Sequence, residues 1–302
     1  MKIKDWLELI RLPNLFTLPG DILVGACASL AFVDFSWSRF GLLCLISALL
    51  YAGGLVLNDC MDYDEDKRER PDRVLPSGRI KLSTAYSVVA TFFLLALVLA
   101  WSVCFASFVV SALLILAIYL YDGPARKNPK LGFFVMGLCR GLNILLGATM
   151  ALGLDFGSVA KGLPILLAFS CETAYIYCVC VIAHTETSHL PSKFWCRFPL
   201  NLVIGICSSL LILGFWTKTF SLFGLAAAVY LIYSTRKLTD GLNEDLPVAQ
   251  IPPYIGKLIR NLIPLQFCLV LCINGADYWV PALVFAFALP LSAGLAKKFS
   301  MS

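Results

Sequence analysis

The sequence predicts an all-α polytopic membrane protein with about ten transmembrane helices. Its 302 residues are 59% hydrophobic and only 14% charged, whereas a soluble domain carries about 25% charged residues. Apolar stretches recur along the whole chain, and most approach the roughly 20 residues that a helix needs to cross a bilayer. We therefore expect residues 1–302 to form a single integral-membrane domain.

The apolar segments themselves predict helices rather than strands. They run on without the alternation of apolar and polar residues that marks a half-buried strand. Only helices and closed barrels satisfy the hydrogen bonds of the backbone in lipid. The eighth segment is short enough to be a half-span. The ten segments are 13–33, 40–58, 84–101, 105–121, 132–153, 162–183, 198–216, 220–234, 258–274 and 280–296.

The N-terminus and the cysteines exclude two other classes of protein. Asp5 and Glu8 precede the first apolar segment, whereas a cleavable secretion signal begins with basic residues alone. We expect this stretch to be an amphipathic segment on the membrane surface. Most of the twelve cysteines lie inside apolar segments, and no CxxC pair occurs. Such thiols usually act as small buried hydrophobic groups, so a disulfide or metal framework is not expected.

The basic residues predict the orientation of the chain in the bilayer. With the first helix starting in the cytoplasm, twenty Lys and Arg residues fall in inner loops and only Arg39, Lys161 and Lys218 in outer loops. Such an excess marks the cytoplasmic side. The net charge of +5 therefore does not indicate nucleic-acid binding. We expect a multi-pass protein of a bacterial inner membrane whose active site faces the cytoplasm.

The stretch LNDCMDYDEDKRERPDRVLPSGR, residues 57–79, concentrates charge at the end of an apolar segment. Asn58, Asp62 and Asp66 are spaced four residues apart, so they share one face of a helix, and Asp59 lies beside that face. Like charges on one helix face are destabilising unless a cation lies between them. Carboxylate oxygens are ligands that Mg²⁺ accepts. The spacing therefore predicts a Mg²⁺ site.

This stretch has two alternative interpretations. Asp62, Asp64 and Asp66 resemble the start of a calcium-binding EF-hand loop, but Lys67 and Arg73 stand where that loop requires Gly and Glu. The EF-hand is therefore rejected. A solvated charged loop that only sets the topology is the other alternative, although an ionisable cluster at a membrane helix favours a functional role.

The spacing Asn58-Asp59-x-x-Asp62-x-x-x-Asp66 resembles the first aspartate-rich motif of the UbiA superfamily of membrane prenyltransferases. The continuation RPDRVLPSGRI, residues 70–80, is similar to the segment that follows this motif in the family. Further resemblance lies in residues 9–26, 121–127 and 136–149, and these segments are similar to the EboC subfamily. The likeness covers most of the first 190 residues.

The resemblance implies nine or ten helices around a central cavity that opens to the cytoplasm and to lipid. It implies Mg²⁺ as cofactor, an isoprenoid diphosphate as donor and a hydrophobic acceptor. The implied metal ligands are Asn58, Asp59, Asp62, Asp66 and Glu186. The implied catalytic residues are Asp62, Asp66 and Lys127, and the diphosphate-binding residues are Arg70, Arg73, Arg126, Arg140 and Asn143. The implied substrate-cavity residues are Asn14, Asp21, Tyr121, Glu172 and Tyr175. Arginine suits bidentate contact with phosphate.

The sequence departs from the family pattern after the sixth apolar segment. The second motif of the family, DxxxD, is missing there, and Glu186 is the one acid, flanked by His184 and His189. Imidazole suits transition metals better than Mg²⁺, so two surface histidines are an equal alternative. The spacing from Tyr121 to Lys127 also exceeds the family pattern Y-x-x-x-K.

Polar residues inside the predicted spans form a further candidate cluster. Arg140 and Asn143 are three residues apart on the fifth helix, so they are neighbours on one face. A buried arginine in lipid must pair with an acid or face a cavity. We expect Glu172 on the sixth helix to be the partner, with Tyr175 one turn further on. Such a pair could belong to the site or only lock two helices together.

Three functions compete as explanations of these observations. The first is transfer of an isoprenoid group from its diphosphate to a hydrophobic acceptor, and the intact first motif favours it. The second is a non-catalytic binder or carrier of a prenylated or lipid molecule, and the missing second motif favours it. The third, a generic transporter, does not explain the NDxxDxxxD spacing.

Overall fold

The computed structural model describes residues 3–10, 12–29, 35–151, 159–184, 192–216, 218–219, 221–242, 246, 250–274 and 294. The regular elements in this part of the chain are helices. They are α1 (Ile3–Leu9), α2 (Leu18–Ala28), α3 (Trp37–Met61), α4 (Tyr63–Glu69), α5 (Leu82–Val103), α6 (Phe105–Asp122), α7 (Pro129–Ala148), α8 (Val159–Ala183), α9 (Lys193–Trp216), α10 (Leu222–Gly241), α11 (Ile251–Arg260) and α12 (Leu262–Asn274). Three 3₁₀ turns lie at Leu12–Thr17, Pro124–Lys127 and Thr149–Ala151.

The predicted class, an all-α polytopic membrane protein, is confirmed. In the described ranges, seven stretches of helix are long and apolar enough to cross a bilayer, and Leu15–Ala28 is a shorter apolar helix. The predicted eighth segment corresponds to α10, whose last turns carry Arg236, Lys237 and Asp240. The predicted tenth segment, 280–296, lies outside the described residues except for Gly294. The described helices therefore do not decide between nine and ten spans.

The start of α7 is fixed by its sequence. Asn128 has an extended backbone, and its side-chain oxygen accepts a hydrogen bond from the backbone N–H of Leu131. Pro129 occupies the first helical position, where its missing N–H costs nothing and its fixed φ suits a helix. These two residues begin α7 directly after the end of α6 and the Pro124–Lys127 turn. The helix that carries Arg140 therefore begins beside the end of the helix that carries Asp122.

The close crossing of α2 and α7 depends on two glycines. A Cβ atom placed on Gly25 would collide with the carbonyl oxygen of Ile144, and one placed on Gly147 would collide with the carbonyl oxygen of Ile22. Each helix therefore packs its backbone directly against the other. Small residues at such crossings are typical of helix pairs in membranes, where close packing replaces the hydrophobic effect.

A buried polar cluster holds this crossing together. Asp21 on α2 is fully buried, and its carboxylate accepts hydrogen bonds from Arg140 Nη2 at 2.9 Å and Asn143 Nδ2 at 2.7 Å. Gln266 Nε2, on α12, donates to the same carboxylate and, at 3.1 Å, to the carbonyl oxygen of Thr17. One carboxylate thus joins three helices.

The predicted ion pair between Arg140 and Glu172 is wrong, because Arg140 pairs with Asp21. The glycine crossing brings α2 so close to α7 that Asp21 lies within reach of both polar residues on the inner face of α7. Glu172 is fully buried on α8. Tyr175, one turn further along, donates its O–H to the carbonyl oxygen of Leu258 at 2.8 Å and so ties α8 to α11.

The N-terminal helix α1 packs against the loop that follows the acidic motif. Leu9 is buried in a cluster with Val74, Leu75 and Ile80. Arg79 Nη1 lies 3.0 Å from both Asp5 and Glu8. The hydrogen bond to Glu8 raises the pKa of Arg79. The loop therefore has a fixed path away from α4.

The glycine crossing predicts a difference between two Gly→Ala substitutions. Gly147→Ala would force α2 and α7 apart, and we expect a loss of about 1–3 kcal/mol from overpacking. Gly205→Ala on α9 is the matched control, because a Cβ there has open space around it and alanine is the better helix former. Thermal unfolding in detergent measures the stability of both variants, and we expect the lower midpoint for Gly147→Ala. Equal midpoints would contradict the close crossing of α2 and α7.

The buried ion pair predicts a non-additive pair of substitutions. Arg140→Met removes the only cation bonded to Asp21 among the described residues. Breaking a buried pair from one side costs about 3–5 kcal/mol, because a charge is left uncompensated. Adding Asp21→Asn removes that charge, so the double variant should be more stable than Arg140→Met. A double-mutant cycle of unfolding free energies tests this, and additive effects would contradict the pairing.

Candidate functional site

The acidic motif lies where α3 passes into α4. Asp62 separates the two helices, yet the backbone bonds continue through it. The N–H of Asp62 donates to the carbonyl oxygen of Asn58 at 2.9 Å, and that of Asp66 donates to Asp62 at 2.8 Å. Each bond spans four residues, as in a regular helix. Asn58, Asp62 and Asp66 therefore follow one another along one face, as their spacing predicts.

Arg73 lies across this acidic face. Its Nη1 is 2.7 Å from Asp66 Oδ2 and 4.0 Å from Asp59 Oδ1. Asp66 is buried, so an opposite charge beside it offsets part of the loss of its hydration. The segment after α4 turns back through a bond from Ser77 N to Arg73 O and through Gly78, whose φ of 73° suits glycine. The motif and its tail thus form one local unit.

A cavity of about 150 Å³ opens beside the motif, between α3, α6 and α7. Most of its wall is apolar, and polar side chains are concentrated at the motif and at the middle of α7. The wall consists of Leu18, Ser47, Leu50, Tyr51, Gly54, Leu55, Asn58, Leu114, Ile118, Tyr121, Asp122, Met136, Cys139, Arg140 and Asn143.

The end of the cavity near the motif is tied by a bond between two helices. Asn58 Nδ2 on α3 donates to Asp122 Oδ1 at the end of α6 at 3.0 Å. Asp122 is buried, and Tyr121 lines the same part of the wall. Asp122 was not among the predicted site residues. An acid at the last position of an apolar helix, directly before Gly-Pro, is the signal that could have identified it.

The inner part of the cavity carries Arg140 and Asn143. Both residues line it, and both donate to Asp21 behind the wall. Ser47 also lines the cavity, and its hydroxyl has no hydrogen-bond partner among the described residues. Gln266, which fixes Asp21 from α12, was not predicted, and a lone amide in an apolar segment gives no motif from which to predict it.

The remaining predicted site residues lie elsewhere. Arg70 ends α4 and is exposed, and Lys127 is exposed in the Pro124–Lys127 turn. Glu172 and Tyr175 are buried but lie outside the cavity wall. Glu186 lies outside the described residues, as do the side chains of Asn14 and Arg126. The functional roles predicted for all these residues stay predictions.

The acidic face provides hard oxygen donors of the kind that Mg²⁺ accepts. Within the described ranges, no three His, Cys, Asp or Glu side chains converge tightly enough to hold a metal ion by themselves. The face does attract a cation, the guanidinium of Arg73. Its donor set therefore fits Mg²⁺ as a partial coordination shell, which water or a ligand would complete.

Comparison with known proteins places this geometry in a family. The model of the UbiA prenyltransferase family matches residues 22–249. Two relatives are named digeranylgeranylglyceryl phosphate synthase. The one from Sulfolobus acidocaldarius is 33% identical over 59% of this chain and 60% of its own length. The one from Methanococcus aeolicus is 27% identical over 88% of this chain and 97% of its own length. With the first three relatives, the chain matches only 52–60% of their length.

Solved structures share the fold. A structure described as giving insights into digeranylgeranylglyceryl phosphate synthase in membranes has a TM-score of 0.63 at 25% identity, and the match covers 90% of this chain and 98% of that one. A UbiA homolog from Archaeoglobus fulgidus bound to GPP and Mg²⁺ has a TM-score of 0.59 at 14% identity, covering 88% and 99%. The family model covers well over half of the sequence, including most of the cavity wall. The chain therefore belongs to the UbiA prenyltransferase family.

Proposed function

We propose that this protein transfers an isoprenoid group from a prenyl diphosphate to a hydrophobic acceptor in the membrane, with Mg²⁺ as cofactor. One observation carries the proposal: the helix face that continues to Asp62 and Asp66 begins at Asn58, in the wall of an apolar cavity inside a membrane-spanning bundle. A prenyl diphosphate has the matching form, with a highly charged head and a hydrocarbon tail. Family membership supports the same reaction class.

The acidic face is the proposed diphosphate end. Asn58, Asp59, Asp62 and Asp66 would hold Mg²⁺, which would neutralise the charge of the departing diphosphate. Arg73 lies on the same carboxylates, so its guanidinium is placed to contact phosphate oxygens as well. The fold neighbour from Archaeoglobus fulgidus was solved with GPP and Mg²⁺.

The apolar wall of the cavity is the proposed site of the prenyl tail. Its leucine, isoleucine and methionine side chains exclude water, which strengthens electrostatic contacts at the head and protects a reactive prenyl carbon from hydrolysis. In the proposed reaction, the bond between the first prenyl carbon and the diphosphate oxygen breaks, and diphosphate leaves with the electron pair. That carbon bonds to the acceptor, which releases a proton.

The names of the relatives suggest an acceptor to test first. Those proteins are called digeranylgeranylglyceryl phosphate synthases, so we propose a prenylated glyceryl phosphate as the first acceptor to test. This class of lipid joins an apolar chain to a polar head. The cavity offers matching surfaces, because its apolar wall leads to Arg140 and Asn143 in its inner part.

We also propose that the acidic face opens toward the cytoplasm. The excess of basic residues in the loops on that side supports this orientation. The relatives named above are archaeal, so they lend no support to a bacterial inner membrane in particular.

The alternative function is a non-catalytic binder or carrier of a prenylated lipid. The missing DxxxD motif favours it, because the region after α8 supplies only Glu186 as an acid. Release of diphosphate separates the two proposals, since a carrier binds the donor without cleaving it.

The first prediction from the proposed function concerns the acidic face. Asp62→Asn and Asp66→Asn should each reduce Mg²⁺-dependent diphosphate release at least about 100-fold, a loss of roughly 2.7 kcal/mol of transition-state stabilisation. Asp64→Asn is the matched control, because Asp64 lies on the opposite, exposed face of α4. The assay uses purified protein, several prenyl diphosphates and a prenylated glyceryl phosphate. Equal effects at positions 62, 64 and 66 would refute the proposed metal face, and donor binding without release would favour the carrier.

The second prediction concerns orientation. Positions 64 and 218 lie at opposite ends of the bundle if α9 crosses the bilayer outward, as the charge pattern predicts. The substitutions Asp64→Cys and Lys218→Cys place a thiol at each position. In intact cells, a membrane-impermeant thiol reagent should label position 218 and not position 64. After cell lysis it should label both. Labelling of position 64 from outside would reverse the proposed orientation.

A further inference from the structure

Glu172 is a buried carboxyl group that the proposed reaction does not use. It lies on α8 with none of its surface exposed. Neither of its oxygens has a hydrogen-bond partner among the described residues. Its electrostatic neighbours are Asp21 on α2, Arg140 on α7 and Gln266 on α12. Buried polar atoms in folded proteins nearly always have a partner, so the state of this side chain requires an explanation.

Two donor atoms in the cluster around Glu172 are already engaged elsewhere. Arg140 Nη2 and Gln266 Nε2 both donate to Asp21. The bond from Gln266 Nε2 to the carbonyl of Thr17 fixes the orientation of the amide, because a carbonyl only accepts. This leaves Gln266 Oε1, which is buried and also has no partner among the described residues. Gln266 Oε1 is therefore a buried acceptor without a donor, and Arg140 Nε is a buried donor that also has no partner among the described residues.

The charges in the cluster lead to the same conclusion. Asp21 accepts hydrogen bonds from three donors, which stabilises its ionised form. Arg140 forms its ion pair with Asp21 and not with Glu172. A second ionised carboxylate would lie near Asp21 without a cation of its own, with none of its surface exposed. Burial and a neighbouring like charge both disfavour its ionisation.

We propose that Glu172 is a protonated carboxylic acid at neutral pH, and that its O–H donates to Asp21 or to Gln266 Oε1. In this state Glu172 carries no charge, so Asp21 and Arg140 balance each other, and the acid O–H can supply the hydrogen that Gln266 Oε1 lacks. Glu172 is then a positioning residue. Directly, or through Gln266, it helps to fix Asp21, and Asp21 holds Arg140 and Asn143 in the cavity wall.

This proposal concerns the bundle itself and does not rest on the proposed reaction. It assigns to Glu172 a role that a glutamine can fulfil, because a glutamine amide also donates one hydrogen bond and carries no charge. Leucine fills a similar volume but cannot donate. The two substitutions therefore separate hydrogen bonding from packing.

The decisive measurement is infrared spectroscopy of the full-length protein in lipid nanodiscs at neutral pH. A protonated carboxyl group has a C=O band apart from those of ionised carboxylates, and that band shifts on exchange into D₂O. We expect the wild type to show one such band, Glu172→Gln to lose it, and Glu69→Gln to keep it, because Glu69 is exposed on α4. Absence of the band from the wild type, or its survival in Glu172→Gln, would overturn the proposal.

Thermal unfolding in detergent gives an independent test. Glu172→Gln should keep a midpoint close to that of the wild type, whereas Glu172→Leu should unfold at a lower temperature. Equal midpoints for the Gln and Leu variants would show that no donated hydrogen bond is present. If Glu172→Leu does not fold, the infrared comparison of the wild type with Glu172→Gln decides the question.

Discussion

The carboxylate of Asp21 is the interaction on which the inner half of the bundle depends. The bilayer core offers no water to polar groups, so each buried donor must find its acceptor within the protein. Asp21 accepts from Arg140, Asn143 and Gln266 and so joins α2, α7 and α12 at one point. The glycine crossing of α2 and α7 makes this possible. Without that close approach, Arg140 would lie in an apolar environment without a counterion.

Hydrogen bonds between helices orient the polar side chains of the cavity wall. Arg140 and Asn143 face the cavity with their orientation fixed from behind by Asp21. Near the motif, the bond from Asn58 to Asp122 joins α3 to α6 in the same manner. Both polar surfaces therefore rest on hydrogen bonds between helices, whereas the wall between them is apolar. Such a cavity suits a ligand with a charged head and a hydrocarbon tail.

The acidic motif also has its charge balanced locally. Arg73, seven residues after Asp66, lies on the carboxylates, and the segment that follows it turns at Gly78 and packs its apolar residues against α1. This arrangement explains why motif and tail occur together in one segment. The tail supplies both the cation and the fold that places it. The Asp59 and Asp66 carboxylates can then lie on either side of one guanidinium in a bundle of low charge content.

The sequence by itself determined the fold class, the helix face of Asn58, Asp62 and Asp66, and the family. These features are local, since hydropathy and a four-residue spacing act within a single helix. The sequence did not determine the partners of the intramembrane polar residues. Spacing placed Arg140 and Asn143 on one face, yet Glu172 was predicted as the partner and Asp21 is the partner found. Gln266 was missed for the same reason, whereas Asp122 had a local signal in its position directly before Gly-Pro. Which helices touch, and at what distance, depends on how glycines and side chains pack between distant segments, and only the tertiary structure decided that.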